Sequence, residues 1–214
     1  MRTAIIIGAT GLTGSQLVDL LLTDDRFTKL VVFGRRSIEI THPKLEEHII
    51  DFDHPEYWRD LVKGDVLFSA LGTTLKKVGS QDAQYRIDYS YQYQFAVAAA
   101  ANQVPTYVLV STAFANPASS GFYVRMKGEL ERDIKELPFK HIQIIQPGPL
   151  DGDRKENRVV ERRGLKALKF LNKLNLFIKY RPIHVRIVAQ KMINVSFSTE
   201  TEPQTYTLEQ VFEL

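Results

Sequence analysis

The chain has 214 residues, 44% hydrophobic and 25% charged, with a formal net charge of +3. These values fit one soluble globular domain with a small appended lobe and give no ground for a nucleic-acid binder. The absence of cysteine excludes disulfides, thiolate metal sites and cysteine nucleophiles.

The first element sets the reading of the rest. Ile5-Ile6-Ile7 runs into Gly8-Ala9-Thr10-Gly11-Leu12-Thr13-Gly14, and an amphipathic stretch from Ser15 to Leu22 follows. A buried strand, a glycine turn and a helix make a cradle for a dinucleotide pyrophosphate. Gly8 permits the tight turn, Gly11 lets backbone approach the phosphates, and Gly14 lets the helix pack on the sheet. The helix N-terminus offers N–H groups and a positive dipole end to the anion. Met1-Arg2-Thr3 leads directly into this strand, so no signal peptide is expected. No apolar run approaches the roughly 20 residues of a membrane span. The expected compartment is therefore the cytoplasm.

Further along, strands are predicted at Thr3 to Gly8, Lys29 to Phe33, Glu47 to Asp51, Val66 to Ser69, Tyr107 to Ser111 and His141 to Gln146. Helices are predicted at Thr13 to Thr23, Pro55 to Leu61, Gln81 to Asn102 and Phe122 to Leu137. Such alternation implies an α/β fold, a doubly wound parallel sheet of Rossmann type, with ligands beyond the carboxyl ends of the strands. The expected division is a dinucleotide-binding core over residues 1–150. A C-terminal cap over 151–214 completes the same domain. In that cap Arg154 to Arg181 carries ten basic residues against two acidic ones, and Leu165, Leu168, Leu171 and Leu174 recur at helical spacing. Three readings of this stretch stand: a substrate cap with solvated charges, an attractor of anionic substrates, or peripheral contact with an acidic membrane surface. Ile183 to Phe197 reads as another helix and Thr205 to Thr207 as a short strand.

Strand two ends in Gly34-Arg35-Arg36-Ser37. An NAD site places Asp or Glu there for the ribose hydroxyls; two guanidinium groups suit a 2′-phosphate instead. NADP(H) is therefore the expected cofactor, the plain alternative being a solvated basic turn. Asp51 at the end of strand three is a candidate acceptor for the adenine amino group, with Phe52 near the ring; a turn cap is the other reading. Ser69-Ala70-Leu71-Gly72-Thr73-Thr74 is a small-residue loop fit to pass close to a cofactor.

Tyr123 and Lys127 lie four apart on a predicted helix, hence on one face. A neighbouring ammonium stabilises phenolate and makes a tyrosine usable as an acid or base near neutrality. Strand five ends in Ser111-Thr112, either of which can hold a substrate oxygen; Thr112 is taken first and Ser111 second. The five histidines show no ligand spacing, so no metal is expected. Trp58 reads as a packing residue. Tyr85, Tyr89 and Tyr93 read as a helix face set against the sheet or a second subunit, which leaves the oligomeric state open.

The ordered set of glycine loop, strand-five hydroxyl and Y-x-x-x-K resembles the short-chain dehydrogenase/reductase superfamily. Phe33-Gly34-Arg35-Arg36, Leu71-Gly72-Thr73-Thr74, Pro147-Gly148-Pro149-Leu150 and Asp153-Arg154-Lys155-Glu156-Asn157-Arg158 narrow the resemblance to its short atypical branch, the Tat-interacting-protein-like NADPH-binding family. The resemblance implies NADPH held by Thr10 to Thr13, with Arg35 and Arg36 at the 2′-phosphate and Leu71 and Gly72 under the ribose. It also implies Tyr123 and Lys127 at the nicotinamide, with Leu150 and Arg158 closing over it. Where many members carry Asn on the fourth helix, this chain has Asp88. The expected function is an NADPH-dependent oxidoreductase acting on a carbonyl-type small molecule. The alternatives are an NADPH-binding regulatory or redox-sensing protein without turnover, and a nucleotide-sugar epimerase, for which the chain looks short.

Overall fold

A computed structural model describes residues 1–151 and 181–213. Seven parallel strands form one sheet in the order β3-β2-β1-β4-β5-β6-β9. They are β1 (Arg2–Ile7), β2 (Phe27–Gly34), β3 (Leu45–Ile49), β4 (Val66–Ser69), β5 (Thr106–Val110), β6 (His141–Gln146) and β9 (Gln204–Thr207). The two-residue strands β7 (Leu150–Asp151) and β8 (Ile183–His184) pair with each other. The helices are α1 (Leu12–Thr23), α2 (Leu75–Val78), α3 (Gln81–Tyr85), α4 (Tyr91–Ala101), α5 (Phe122–Lys135) and α6 (Val185–Val195).

Alternation along the strands explains the layering. Ala4, Ile6, Leu30, Val32, Phe68 and Val108 face α1 and α6, while Ile5, Ile7, Val31, Phe33, Leu67 and Leu109 face α4 and α5. Successive side chains in a strand point to opposite faces. Because these strands are apolar on both faces, they need a helical layer on each side. The doubly wound expectation is met. Residues beyond 183 return to this core: α6 packs against α1, and β9 adds the seventh strand beside β6.

The elements depart from the sequence reading in a few places. β3 lies two residues earlier than expected, because Leu45 to Ile49 align with Leu30 to Gly34. Pro55 to Leu61 is not one helix but two 3-10 turns, Pro55–Tyr57 and Arg59–Leu61. Between them Trp58 leaves helical backbone, buries its ring against Phe95 at 4.6 Å, and donates Nε1–H to the Asp51 carbonyl at 2.9 Å. The helix expected from Gln81 to Asn102 contains a π-helical turn, Arg86–Ser90. The segment from Ile183 starts as a strand, and helix begins only at Val185, where His184 Nδ1 accepts from the Arg186 N–H. The leucines at 165–174, Arg158 and nearly all of the basic stretch lie outside the described residues.

Candidate functional site

The chain order reverses between β1 and β4, so their carboxyl ends bound the crevice in which ligands of such sheets bind. The glycine loop stands there. Gly8 has φ +86°, and a Cβ on it would lie 2.4 Å from the Ala70 carbonyl and 2.5 Å from the Leu71 nitrogen. The Gly8 loop and the Ala70–Thr73 loop are thus in backbone contact, joined also by the Ala70 N–H bond to Ile7 O at 3.0 Å. A Cβ on Gly14 would lie 2.1 Å from Gly8 O, which keeps the first turn of α1 against the loop. Among the described residues no side chain caps α1, and its first turn holds no acid. Thr10 is exposed, Gly11 and Leu12 are half-buried, and Thr13 is buried.

Arg35 and Arg36 are exposed at the tip of β2. Their loop is held from β3: Glu47 accepts from Ser37 Oγ and from Ile38 N–H, both at 2.8 Å. Glu47 is a residue the sequence reading missed. Only strand pairing, Val32 against Glu47, brings it beside the basic pair, and its oxygens serve the loop. Asp51 accepts from the Asp53 N–H at 3.0 Å, the geometry of a turn cap. Phe52 is buried and stacked on Tyr91 at 5.1 Å, within the core. Leu71 packs on the core, Gly72 is exposed and Thr73 is half-buried. Leu150 packs against the core from β7.

Tyr123 and Lys127 do share a face of α5. Tyr123 is 41% exposed in the first turn and Lys127 is 3% exposed one turn further in. Two carboxylates that the spacing argument had not assembled flank the lysine. Asp88 sits in the π-helical turn, 1% exposed, and its Oδ1 accepts the Thr73 N–H at 2.6 Å. Glu131 follows Lys127 by one turn, 5% exposed, and both its oxygens accept from Gln146 Nε2, at 3.0 and 2.8 Å. Burial pushes both carboxyls up from their ordinary range, against the pull of Lys127. Burial likewise pushes the Lys127 amine down, against the pull of Asp88 and Glu131. Placing three ionisable groups together in the interior carries a desolvation cost, which low dielectric makes large.

The two hydroxyls after β5 separate cleanly. Ser111 is buried, and its Oγ closes no hydrogen bond of ordinary geometry, although it lies near enough to stabilise the Glu131 carboxylate. Thr112 is half-buried, the less enclosed residue of the two. Gly128 completes the arrangement: a Cβ there would lie 2.3 Å from Asn116 C and 2.4 Å from Pro117 N, so the loop after β5 lies directly on α5. The sequence reading missed this contact; the glycine directly after the lysine is the signal that could have pointed to it. Tyr85, Tyr89 and Tyr93 stack in a row, at 4.7 and 5.9 Å, and Tyr89 donates to Asp133 of α5 at 2.6 Å. They face α5 rather than the sheet. Among the described residues, no group of three or more His, Asp or Glu side chains could hold a metal ion, and no helix is long and apolar enough to cross a membrane.

Residues 31–181 match the family model described as HIM1. The chain belongs to the HIM1 family. This HIM1-family chain is 35% identical over 210 residues to "Protein FMP52-1, mitochondrial" of Scheffersomyces stipitis, covering 94% of itself and 92% of that relative. Among solved structures it is similar to the Bordetella bronchiseptica enzyme WbmH in complex with NAD+, with TM-score 0.73 and 15% identity over 97% of this chain and 75% of that one. It is also similar to a short chain dehydrogenase family protein from Francisella tularensis, with TM-score 0.69 and 15% identity over 96% and 97%. At such identities the likeness shows the fold, a Rossmann sheet of the short-chain dehydrogenase and epimerase kind. The relatives' names overturn the cytoplasmic expectation and point to mitochondria. The expectation rested on the lack of an apolar signal segment, and mitochondrial targeting is amphipathic and basic rather than apolar.

Proposed function

We propose that this chain is an NADPH-dependent oxidoreductase of the atypical short-chain dehydrogenase type, acting on a carbonyl-type small molecule. The observation that carries the reading is the Tyr123–Lys127 pair, buried at the amine and open at the phenol, on the helix after the Ser111-Thr112 strand end. The dinucleotide fits the residues present: the glycine turn at the carboxyl end of β1, held against the Ala70 backbone by Gly8, leads into the N-terminus of α1, which carries no side-chain cap, and such a helix start suits a pyrophosphate. Arg35 and Arg36 would hold the 2′-phosphate, and Leu71 to Thr73 would pass beneath the ribose. The closer kinship with the Tat-interacting-protein-like branch rests on these same motifs and belongs to this reading. The nicotinamide supplies or accepts a hydride when bound. The chain's own part is to position and to move a proton: Thr112 holds the substrate oxygen, Tyr123 gives or takes the proton there, and the Lys127 charge favours the phenolate. A quarter of the WbmH chain lies outside the match, whereas the Francisella protein is covered almost whole.

Fluorescence titration tests the cofactor. NADPH should bind more tightly than NADH, and Arg35→Ala with Arg36→Ala should erase the difference; equal affinities in the unaltered protein refute the role of the arginines. Tyr123→Phe should lower turnover by about 10²–10⁴-fold with NADPH affinity unchanged. Unchanged turnover refutes the role of Tyr123. Tight NADPH binding without turnover on any carbonyl or quinone supports the regulatory alternative.

A further inference from the structure

The loop that follows β5 holds an unusual backbone. Among the described residues, four that are not glycine have positive φ: Glu39, Gln103, Phe114 and Leu208. Glu39 and Gln103 are polar and exposed, and Leu208 is half-buried. Phe114, at +66°, is both aromatic and 61% exposed. A single apolar side chain on a surface is ordinary. A bulky one held at positive φ is an outlier, strained for an L-residue, and outliers of this kind gather at ligand sites. Glycine would make the same turn without strain.

Backbone bonds fix where the ring stands. Ala115 N–H donates to Thr112 O at 3.3 Å and closes a tight turn from Thr112 to Ala115. φ is positive at Phe114 and not at Ala113, the pattern of a type II turn, whose third residue is ordinarily glycine. Ser111 N–H donates to Ile145 O at 2.7 Å and Ala113 N–H to Pro147 O at 3.0 Å, which ties the start of the turn to the end of β6. Asn116 N–H donates to Val124 O at 3.1 Å, which ties its far side to the first turn of α5. Thr112 and Phe114 therefore share one turn, and Tyr123, 41% exposed, directly precedes the α5 residue to which that loop is bonded. The hydroxyl, the phenol and the phenyl ring stand on two segments bonded to each other at the carboxyl end of β5, on the side of the sheet where ligands of this fold bind.

We propose that Phe114 is a substrate-contact residue and that the substrate is a carbonyl compound with a flat aromatic group beside the carbonyl. The proposal rests on the reading of Thr112 and Tyr123 as the groups at the substrate oxygen. The ends of such a turn lie less than ~7 Å apart at Cα, so a carbonyl oxygen held by the Thr112 hydroxyl has its carbon substituents within a side-chain length of Phe114. An aromatic substituent covers the ring by offset or edge contact, which a saturated ring of the same size cannot match. The strained backbone is then the means by which the chain holds this ring in water until a ligand covers it. Position 114 exchanges some stability for recognition.

The test pairs acetophenone with cyclohexyl methyl ketone, which differ in the flatness of the ring. The ratio of kcat/KM for the first to that for the second, read by NADPH oxidation with the full chain, should fall about two- to tenfold in Phe114→Gly. Phe114→Tyr, which keeps a flat ring, should retain it. Phe114→Gly should also hold Tm within about 4 °C, since glycine removes the strain as it removes the ring. A ratio unchanged in Phe114→Gly overturns the proposal. So does a larger fall in Tm, which would show that the ring serves the fold. A second measurement needs no turnover. With fluorophenylalanine in the full chain, the 19F resonance assigned by Phe114→Leu should move with millimolar acetophenone and NADP+, and stay still with cyclohexyl methyl ketone and NADP+. That shift without NADPH oxidation keeps the aromatic site and removes the oxidoreductase reading. Oxidation with both ketones, a ratio indifferent to Phe114→Gly and no shift do the reverse, and absence of both turnover and shift overturns the proposal as well.

Discussion

Gly8→Ala should destabilise the protein far more than Gly79→Ala, although the two glycines have nearly the same backbone. Their φ angles are +86° and +81°, a region that costs an L-residue about 1–2 kcal/mol. A methyl at Gly79 meets nothing within 4 Å, so that conformational cost is the whole effect. At Gly8 the methyl would sit 2.4 Å from backbone atoms of Ala70. Those atoms cannot swing aside as a side chain would, because Ala70 N–H is bonded to Ile7 O and β4 is paired with β1. Overpacking of this kind adds about 1–3 kcal/mol, for a total of about 2–5 kcal/mol. In a chain of this size each kcal/mol moves Tm by about 2–4 °C. Urea denaturation of the two variants measures the difference directly. NADPH titration should show affinity weakened at least ~10-fold (about 1.4 kcal/mol) for Gly8→Ala, and unchanged for Gly79→Ala. Equal losses of stability in the two variants would refute the claim that contact between β1 and β4 loops, and not backbone conformation alone, fixes the glycine.

Three other outcomes follow from the same contacts. Gly128→Ala should cost about 1–3 kcal/mol and lower turnover, since its methyl would displace the Asn116–Pro117 loop; calorimetry that finds no loss of Tm contradicts this. Trp58→Phe keeps the ring stack but removes the donor to the Asp51 carbonyl, a loss of about 0.5–1.5 kcal/mol readable in the urea midpoint. Folding raises the Glu131 carboxyl above its free-chain range, near 4.3. Its contribution is thus fully present below that pH and is lost as pH rises through the folded value. Glu131→Gln has no such loss, so its stability relative to the unaltered protein should climb from about pH 4.3 upward. A difference that stays flat across urea titrations at several pH values would count against the assignment.

Much of the fold was legible because its signals are local. Apolar runs such as Ile5 to Ile7 and Tyr107 to Val110 demand cover on both faces, and the regular alternation of strands and helices leaves few topologies open. The Tyr123–Lys127 face was legible for the same reason, since helical spacing is a property of neighbours along the chain. What the amino-acid order left open depended on partners far away in sequence. Trp58 breaks the helix expected at Pro55 to Leu61 because Phe95 and the Asp51 carbonyl draw it inward. β3 begins at Leu45 because its register is set by β2. Ser111 and Thr112 are chemically alike and adjacent; only packing against α5 buries one and leaves the other less enclosed. Glu131 carries no signal in local spacing; it is buried and meets Gln146 of β6, a residue distant in sequence. The compartment was legible in neither, because targeting is read by import machinery and not by the fold. By itself the sequence determined the layered sheet, the glycine cradle and the tyrosine–lysine face, all consequences of short-range geometry. The tertiary structure alone decided which carboxylates share the interior with Lys127, because desolvation and strand pairing join residues that spacing cannot.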